Sequence, residues 1–310
     1  MKSSLGSLIT AVATPFRSDG EIDREVFERL VRYLADHGSD AVVVSGSTGE
    51  SGTLTDDEKI ELVRLAKSTA PSLKVISGTT TNSTKHSLEL VERAERAGAD
   101  GILAVTPYYN RPSQDGLVAH FSAILSSTSL PVILYDIPIR TGRKIETSTV
   151  LALLERFDNL FGLKDASQTT GQAAALLRLS GENLSLFSGD DALTLPLMSV
   201  GAVGVISVAS HWAGPVFKEM IESFKSGDNL RAAKLNLVLV PSFNFQSQDF
   251  APNPTPLKAM LEVMGFGEGI CRLPLLGASK ELKDQAKELL DRLVLEAKEA
   301  GVYLEERWEL

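Results

Sequence analysis

The chain has 310 residues, of which 43 % are hydrophobic and 23 % are charged, a composition that excludes a disordered or collagen-like protein. It carries 31 lysines and arginines against 40 aspartates and glutamates. The resulting net charge of −9 argues against nucleic acid or an anionic membrane as a partner, so we expect small molecules or other proteins.

The expected location follows from features that the sequence lacks. Cys271 is the single cysteine, so it cannot form an internal disulfide and has no second thiol for a metal or redox pair. The longest apolar stretches, such as 201–209, fall far short of the roughly 20 residues that span a bilayer. The N-terminus has no long apolar run followed by a cleavage site. We therefore predict a cytoplasmic protein without a membrane segment.

Short apolar runs alternate with helical stretches along most of the chain, a pattern typical of βα units with parallel strands. The pair Thr55 and Glu58 forms a capping box, which predicts a helix that begins directly after Thr55. Eight apolar runs are predicted as strands, namely Leu8–Val12, Ala41–Ser45, Leu73–Ser77, Gly101–Val105, Pro131–Tyr135, Phe161–Lys164, Leu184–Ser188 and Val203–Ser207.

Glycines punctuate these units in a repeated way. Gly38, Gly98 and Gly201 each stand between a predicted helix end and the next strand, where glycine adopts the left-handed conformation at little cost. Eight such units match the size of a (β/α)8 barrel, typically about 250 residues. A doubly wound open sheet is the alternative, but no glycine-rich phosphate turn follows the first strand. We predict an α/β fold, a TIM barrel over residues 1–227 that carries the active site.

Only helical signals remain in the last part of the chain. Residues 228–310 are predicted to form a C-terminal helical domain, with helices at Leu230–Val240, Pro256–Val263 and Lys280–Ala300. This segment is small for a self-sufficient domain and should pack on the barrel or on a neighbouring chain. Three prolines in Ala251–Pro256 predict an extended connector between the first two helices.

Reactive side chains are expected where the barrel strands end, because active sites of this fold lie at the C-terminal face. The sixth predicted strand ends in Lys164. Desolvation in such a place lowers the pKa of a lysine, and the neutral amine can attack a carbonyl to form a Schiff base. The alternative is a surface lysine whose stem covers the rim while its ammonium reaches water.

Three further loops after predicted strands carry polar groups. Residues 46–52 place hydroxyls between glycines, and such a loop can present backbone amides and hydroxyls to a small anion, although a simple turn is the alternative. Tyr109 follows the fourth strand and Tyr135 ends the fifth, and at such positions a tyrosine can pass protons or merely cap the core. Arg140 lies in the next loop and could hold a carboxylate by two parallel bonds.

Other polar groups give weaker signals. Residues 188–191 predict a turn with a helix N-cap, with substrate contact as the less favoured alternative. The histidines, His37, His86, His120 and His211, show no metal-ligand spacing, and no cysteine cluster accompanies them. We expect no bound metal and place all four histidines at solvent or rim positions without a role.

Several of these segments together resemble the dihydrodipicolinate synthase and N-acetylneuraminate lyase family. Members of this family are pyruvate-dependent Schiff-base aldolases with a (β/α)8 barrel and a helical tail. The similar motifs follow the family order across nearly the whole chain, and they are residues 46–50, 106–112, 135–140, 162–166 and 204–207.

The resemblance implies a catalytic role for four side chains. Lys164 would attack the pyruvate carbonyl, giving an imine whose enamine form is the carbon nucleophile. Tyr135 would move protons to and from the substrate, and Ser47 and Tyr109 would continue this relay. No cofactor is implied other than the covalent lysine–pyruvate imine itself.

The resemblance also implies binding roles and an assembly. Thr48 and nearby amides would hold the pyruvate carboxylate, and Arg140 would bind the carboxylate of the incoming aldehyde. Gly189 and Ile206 would line the pocket with backbone groups. Because Tyr109 would act after insertion by a neighbouring subunit, the family is expected to work as a dimer or, more often, as a homotetramer, a dimer of dimers.

Within the family, the sequence favours the synthase branch, which condenses pyruvate with L-aspartate 4-semialdehyde in lysine and diaminopimelate biosynthesis. Lyases of N-acetylneuraminate or of 2-keto-3-deoxy sugar acids are the alternative. They generally lack an arginine at the place of Arg140 and tend to have polar residues at Ala166 and Ala192. The connector 253–258 is also synthase-like, whereas Ser47 is more typical of the lyases and cannot separate the two activities.

A regulatory site is a further implication. Lysine-inhibited members of the family bind free lysine near Ser51, Asn82 and Tyr108, which this sequence keeps. However, Lys59 would repel the ammonium of the effector, and His86 replaces a usual glutamate, which removes an attractive partner. We predict weak or absent feedback by lysine.

Overall fold

The computed structural model describes residues 5–248 and 250–304 of the chain. Within these residues, eight parallel strands form a closed barrel in which each strand pairs with the next and the last pairs with the first. The (β/α)8 prediction is confirmed and the open-sheet alternative is wrong. The strands are β1 (Leu8–Ala11), β2 (Ala41–Val44), β3 (Lys74–Ser77), β4 (Gly101–Val105), β5 (Val132–Asp136), β6 (Leu160–Asp165), β7 (Ser185–Ser188) and β8 (Gly204–Ser207).

Helices alternate with the strands and continue past them along the described chain. The predicted start after Thr55 is confirmed, because the Glu58 amide donates to the Thr55 hydroxyl at 3.3 Å while the Thr55 amide donates to the Glu58 carboxylate at 2.7 Å. The α-helices are α1 (Arg24–Asp36), α2 (Asp56–Thr69), α3 (Thr84–Arg96), α4 (Gln114–Ser126), α5 (Pro138–Thr141), α6 (Thr147–Leu154), α7 (Thr170–Ser180), α8 (Thr194–Met198), α9 (Ser210–Lys225), α10 (Asn229–Gln246), α11 (Thr255–Val263) and α12 (Lys280–Glu299).

All eight predicted strands are present, and each observed end lies within one residue of its predicted position. The strands are short and buried along nearly their whole length. This agrees with a parallel sheet whose outer face is covered by helices, because such strands become nearly continuous apolar runs.

The barrel interior is filled by side chains from alternate strand positions. Ile9, Val43 and Ile133 point inward and pack with aromatic rings, of which Phe161 and Phe187 lie 6.3 Å apart between centroids. These side chains close the lower part of the barrel as a packed core. The open space inside the barrel therefore lies near the carboxyl ends of the strands.

The C-terminal helices pack on the barrel and on one another. α10 lies against α9, where the Trp212 indole donates to the Ser242 hydroxyl at 2.9 Å. α10 runs on to Gln246, six residues beyond the predicted helix, although Pro241 lies inside it and lacks a backbone N–H. The helical appendage is confirmed, whereas its treatment as a domain over 228–310 stays a prediction.

Two histidines lie in the interior and not at the surface, so the expectation of solvent or rim positions is wrong for them. His211 is fully buried, and its Nδ1 bonds the Val208 carbonyl at 2.7 Å while Nε2 accepts from the Ala13 amide at 3.2 Å. His120 is buried between α3 and α4, with Nδ1 2.9 Å from the Thr84 hydroxyl. The sequence shows these histidines as isolated polar residues on apolar helix faces. Their hydrogen-bond partners lie in other elements or loops and could not be predicted from it.

These buried histidines predict an acid-sensitive fold. Burial lowers the pKa of His120 and of His211 to about 4, against about 6.5 in an unfolded chain. Between these values the unfolded state binds more protons, so the free energy of unfolding should fall as pH drops from 6.5 to 4, by about 1.4 kcal/mol per pH unit for each histidine. Urea unfolding at several pH values measures this slope.

The matched comparison is His211→Gln against His37→Gln, since the ring of His37 is only half-buried. We expect the first variant to have a shallower acid slope than the unchanged protein and the second to keep the full slope. Equal slopes in all three proteins would contradict a contribution from His211.

Candidate active site

A cavity of about 220 Å³ opens at the carboxyl ends of the strands, and a second one of about 170 Å³ adjoins it on the side of the C-terminal helices. The two share lining residues from β5, β6, the loop after β2 and the segment after β5, so they form one site with two lobes. The shared residues are Ser47, Thr48, Tyr135, Ile137, Arg140 and Lys164.

Lys164 occupies the centre of this site. It lies opposite Tyr135 in the pairing of β5 with β6 and is only 5 % exposed. Its Nζ lies 4.2 Å from the centre of the Tyr135 ring, a cation–π distance. Within the described part of the chain, no carboxylate forms an ion pair with this amine. An enclosed amine at this position is placed to attack the carbonyl of a small substrate in the cavity.

Gly189 gives Lys164 the space that its stem occupies. A Cβ at position 189 would lie 3.1 Å from the Lys164 Cγ and 2.9 Å from the Ala166 Cβ, which is closer than packed side chains allow. Gly189 lines the second lobe. Ile206 is instead part of the packed barrel core and lines neither lobe, so its predicted contact with substrate stays a prediction.

The loop after β2 carries the two hydroxyls predicted for the site. Ser47 and Thr48 line both lobes, and Thr48 is buried. Ser45 and Glu50 flank them with positive φ values of 56° and 55°, which turn the loop sharply around the cavity. The loop thus places two hydroxyls on the cavity that Lys164 also lines, and hydroxyls with backbone amides can form an anion site.

Arg140 supplies a second cation at the rim. It lies in α5 directly after β5, and its guanidinium donates to the main-chain carbonyl of Asn253 at 3.4 Å. No ion pair of Arg140 with an acidic side chain exists among residues 5–248 and 250–304. Its guanidinium thus has no acidic partner in these ranges and is placed to hold a carboxylate in the cavity.

The C-terminal helices complete the second lobe, which the sequence analysis missed. Asn253 and Gln246 line this lobe, and Asn253 also donates from Nδ2 to the Thr48 hydroxyl at 3.2 Å. Gln246 donates to the carboxylate of Asp191 at 2.7 Å. Burial raises the pKa of Asp191, although backbone amides of Val208 and Ala209 also donate to it. The prolines beside Asn253 predicted an extended connector, but they did not indicate that this connector lies against the active-site cavity.

Tyr109 lies apart from the other predicted catalytic residues. Its side chain is 91 % exposed, and it lines neither lobe. Its backbone adopts the left-handed conformation, with a φ of 72°. Within one chain, the predicted relay is therefore incomplete at this residue.

The residues of the predicted effector site lie at the edge of the first lobe. Ser51 and Tyr108 line this lobe, and Asn82 donates to the Tyr108 carbonyl at 3.2 Å. On the neighbouring helices, Asp56 bonds His86 at 2.8 Å and pairs with Lys59 at 3.4 Å. Burial opposes but does not outweigh these two partners, which lower the pKa of Asp56.

The described residues contain no group of three or more histidine, cysteine, aspartate or glutamate side chains placed to hold a metal ion. The expectation that the chemistry needs no metal or cofactor stays a prediction. No helix within the described ranges is long and apolar enough to cross a membrane.

Comparison with known proteins gives consistent matches along the chain. The model of the dihydrodipicolinate synthetase family matches residues 4–293. The 4-hydroxy-tetrahydrodipicolinate synthase of Moorella thermoacetica is 48 % identical over 281 residues, which cover 90 % of this chain and 95 % of that protein.

Solved structures agree with this match. The 4-hydroxy-tetrahydrodipicolinate synthase of Methylacidiphilum fumariolicum is 39 % identical, with a TM-score of 0.92 over 96 % of this chain and 99 % of that one. The dihydrodipicolinate synthase of Cyanidioschyzon merolae, solved with lysine bound, is 41 % identical, with a TM-score of 0.90 over 93 % of this chain and 98 % of that one.

Proposed function

The chain belongs to the dihydrodipicolinate synthetase family, and from this premise we propose that it is a lyase that condenses pyruvate with L-aspartate 4-semialdehyde. The product would be 4-hydroxy-tetrahydrodipicolinate, on the route to diaminopimelate and lysine. The observation that carries the proposal is the enclosed amine of Lys164 beside Tyr135, in a cavity that Arg140 also lines.

The first half of the reaction activates pyruvate. Nζ of Lys164 forms a bond to the carbonyl carbon, and the carbonyl oxygen leaves as water after proton transfers through Tyr135. Loss of a methyl proton from the imine gives the enamine. Thr48 and the amides of its loop hold the pyruvate carboxylate during these steps, since a small anion fits this turn.

The second half forms the carbon–carbon bond. The enamine carbon attacks the aldehyde, and the new oxyanion takes a proton from the relay of Tyr135, Ser47 and Tyr109. Arg140 holds the carboxylate of the aldehyde substrate at the rim. The amino group of that substrate then closes the ring onto the imine carbon and releases Lys164, while Gly189 and Ile206 provide backbone groups in the pocket.

A coupled assay tests this proposal. Purified protein receives both substrates, and dihydrodipicolinate reductase reports the product through loss of NADPH absorbance. We expect a signal that depends on pyruvate and on the aldehyde. A protein that forms a borohydride-reducible adduct with pyruvate but gives no signal in this assay would belong to the sugar-acid branch instead.

Replacement of Arg140 separates the two substrates. Because a hydrogen bond to a charged group contributes about 1.5–3 kcal/mol, we expect Arg140→Ala to raise the half-saturating aldehyde concentration by about 10-fold to 150-fold. The half-saturating pyruvate concentration should change far less. Steady-state titration of each substrate measures both values, and equal increases would show that Arg140 does not recognise the aldehyde.

We also propose that the active enzyme is a cytoplasmic homotetramer, a dimer of dimers. The exposed ring of Tyr109 supports a partner subunit, because a large aromatic side chain in water is costly and the relay lacks it within one chain. Sedimentation velocity measures the assembly. A fully active monomer would contradict the proposal.

Feedback by lysine is proposed to be weak or absent. Both carboxylate oxygens of Asp56 already have partners in Lys59 and His86, so this group offers little to an incoming ammonium. The similar structure from Cyanidioschyzon merolae contains bound lysine, so the effect of lysine on this protein is a relevant test. L-Lysine added to the coupled assay should leave the rate unchanged, and a saturable loss of rate would contradict this expectation.

A further inference from the structure

Asn253 connects the C-terminal segment to two groups in the active site. It stands between α10 and α11, where its side-chain Nδ2 donates to the Thr48 hydroxyl at 3.2 Å. Its main-chain carbonyl accepts from Arg140 at 3.4 Å. One residue of the appendage thus contacts both groups that are proposed to hold the carboxylates of the two substrates.

The direction of the bond to Thr48 decides what the hydroxyl can do next. A threonine hydroxyl has one hydrogen to donate and lone pairs to accept with. An amide N–H that donates to this oxygen occupies a lone pair, so the hydrogen of Thr48 stays available. Because Thr48 is buried, few other partners compete for that hydrogen. It is therefore held ready to donate to an anion in the cavity.

We propose that Asn253 is a positioning residue for pyruvate. Asn253 orients the Thr48 hydroxyl so that this hydroxyl donates to the pyruvate carboxylate. This inference rests on the proposed function in that Thr48 binds pyruvate. Asn253 itself need not touch the substrate. Because its effect depends on the Thr48 hydroxyl oxygen alone, this role can be distinguished experimentally from a general effect on structure.

The two contacts of Asn253 are also separable by mutation. Alanine at position 253 removes the amide that bonds Thr48 but keeps the main-chain carbonyl that accepts from Arg140. Asn253→Ala should therefore weaken the use of pyruvate and leave the half-saturating aldehyde concentration nearly unchanged. A loss of about 1 kcal/mol for a neutral hydrogen bond corresponds to about a 5-fold effect.

The decisive measurement is the pyruvate concentration that gives half-maximal borohydride trapping, compared across backgrounds. Asn253→Ala should raise this concentration about 5-fold in the unchanged protein and again about 5-fold in Thr48→Ser, which keeps the hydroxyl. In Thr48→Val, which lacks it, the added substitution should change the concentration by less than about 2-fold. A merely structural role would raise it equally in all three backgrounds and would overturn the inference.

Two controls complete the design. Asn244→Ala makes the same chemical change at an exposed position of α10 that lines neither lobe, and trapping should be unaffected. If Asn253→Ala does not fold, Asn253→Ser removes the same amide and is compared in the same backgrounds. Trapping needs no second substrate, so a protein that traps pyruvate but fails in the coupled assay refutes the proposed function while the Asn253 comparison still gives its answer.

Discussion

Lys164→Ala is expected to reduce kcat by about 10⁴-fold or more, because the substitution removes the only group proposed to form the covalent intermediate. The fold should survive, since Lys164 forms no ion pair with an acidic side chain in the described ranges and alanine fits at a strand end. We expect its melting temperature to stay close to that of the unchanged protein. The coupled assay measures the rate.

The matched control is Lys164→Arg. Arginine keeps a cation near the Tyr135 ring but remains protonated, so it cannot form an imine. Both variants should lose the borohydride-reducible adduct with pyruvate, which mass spectrometry detects on the intact protein. Substantial turnover in either variant would place the nucleophile elsewhere and would refute the assignment of Lys164.

The second large effect concerns stability and comes from a buried ion pair. Lys258 and Glu50 lie 2.5 Å apart between Nζ and Oε1, and their side chains are 3 % and 1 % exposed. Lys258 also donates to the Ile270 carbonyl at 2.6 Å, while the other oxygen of Glu50 accepts from the Arg272 amide at 2.9 Å. Burial lowers the pKa of Lys258, which the charge of Glu50 opposes.

Lys258→Met should lower the free energy of unfolding by about 3–5 kcal/mol, because it leaves the Glu50 carboxylate buried without a counter-charge. The double variant Glu50→Gln, Lys258→Met should be less destabilised than Lys258→Met, since no charge is then stranded. Urea unfolding measures the free energy of unfolding of the unchanged protein, the single variant and the double variant. Arg17→Met, in the exposed pair of Arg17 with Asp19, is the control and should change stability little.

A double variant as unstable as the single one would show that the lost contacts, and not the stranded charge, set the cost. Activity adds a second observation, because Glu50 belongs to the same loop as Ser47 and Thr48. Folded Lys258→Met should therefore also show weaker trapping of pyruvate.

The barrel could be predicted because its signals are local. Each strand is an apolar run closed by turn residues, and Lys164 stands out because it ends such a run. The helix start after Thr55 is equally local, since the capping box lies within four residues. Interactions between residues close in sequence produce patterns, such as apolar runs and capping boxes, that can be recognised in a single sequence.

The contacts made by the tail could not be predicted in this way. Thr48 and Asn253 are 205 positions apart, and no spacing rule links an asparagine before a proline to a distant hydroxyl. The burial of His120 and His211 likewise depends on packing between elements. The proposed role of Tyr109 depends on a partner chain, and a contact between chains leaves no spacing pattern in a single sequence.

Three contacts join the loop after β2 to residues near the end of the chain. They are the ion pair of Glu50 with Lys258, the bond from Asn253 to the Thr48 hydroxyl and the bond from the Arg272 amide to Glu50. A growing chain folds largely in the order in which it is made. The strands of the barrel emerge first, whereas the loop proposed to bind pyruvate can form all of these contacts only after residue 272 has been synthesised. We therefore expect this loop to reach its final shape only after the tail has been made, so that the proposed binding of pyruvate follows synthesis of nearly the whole chain.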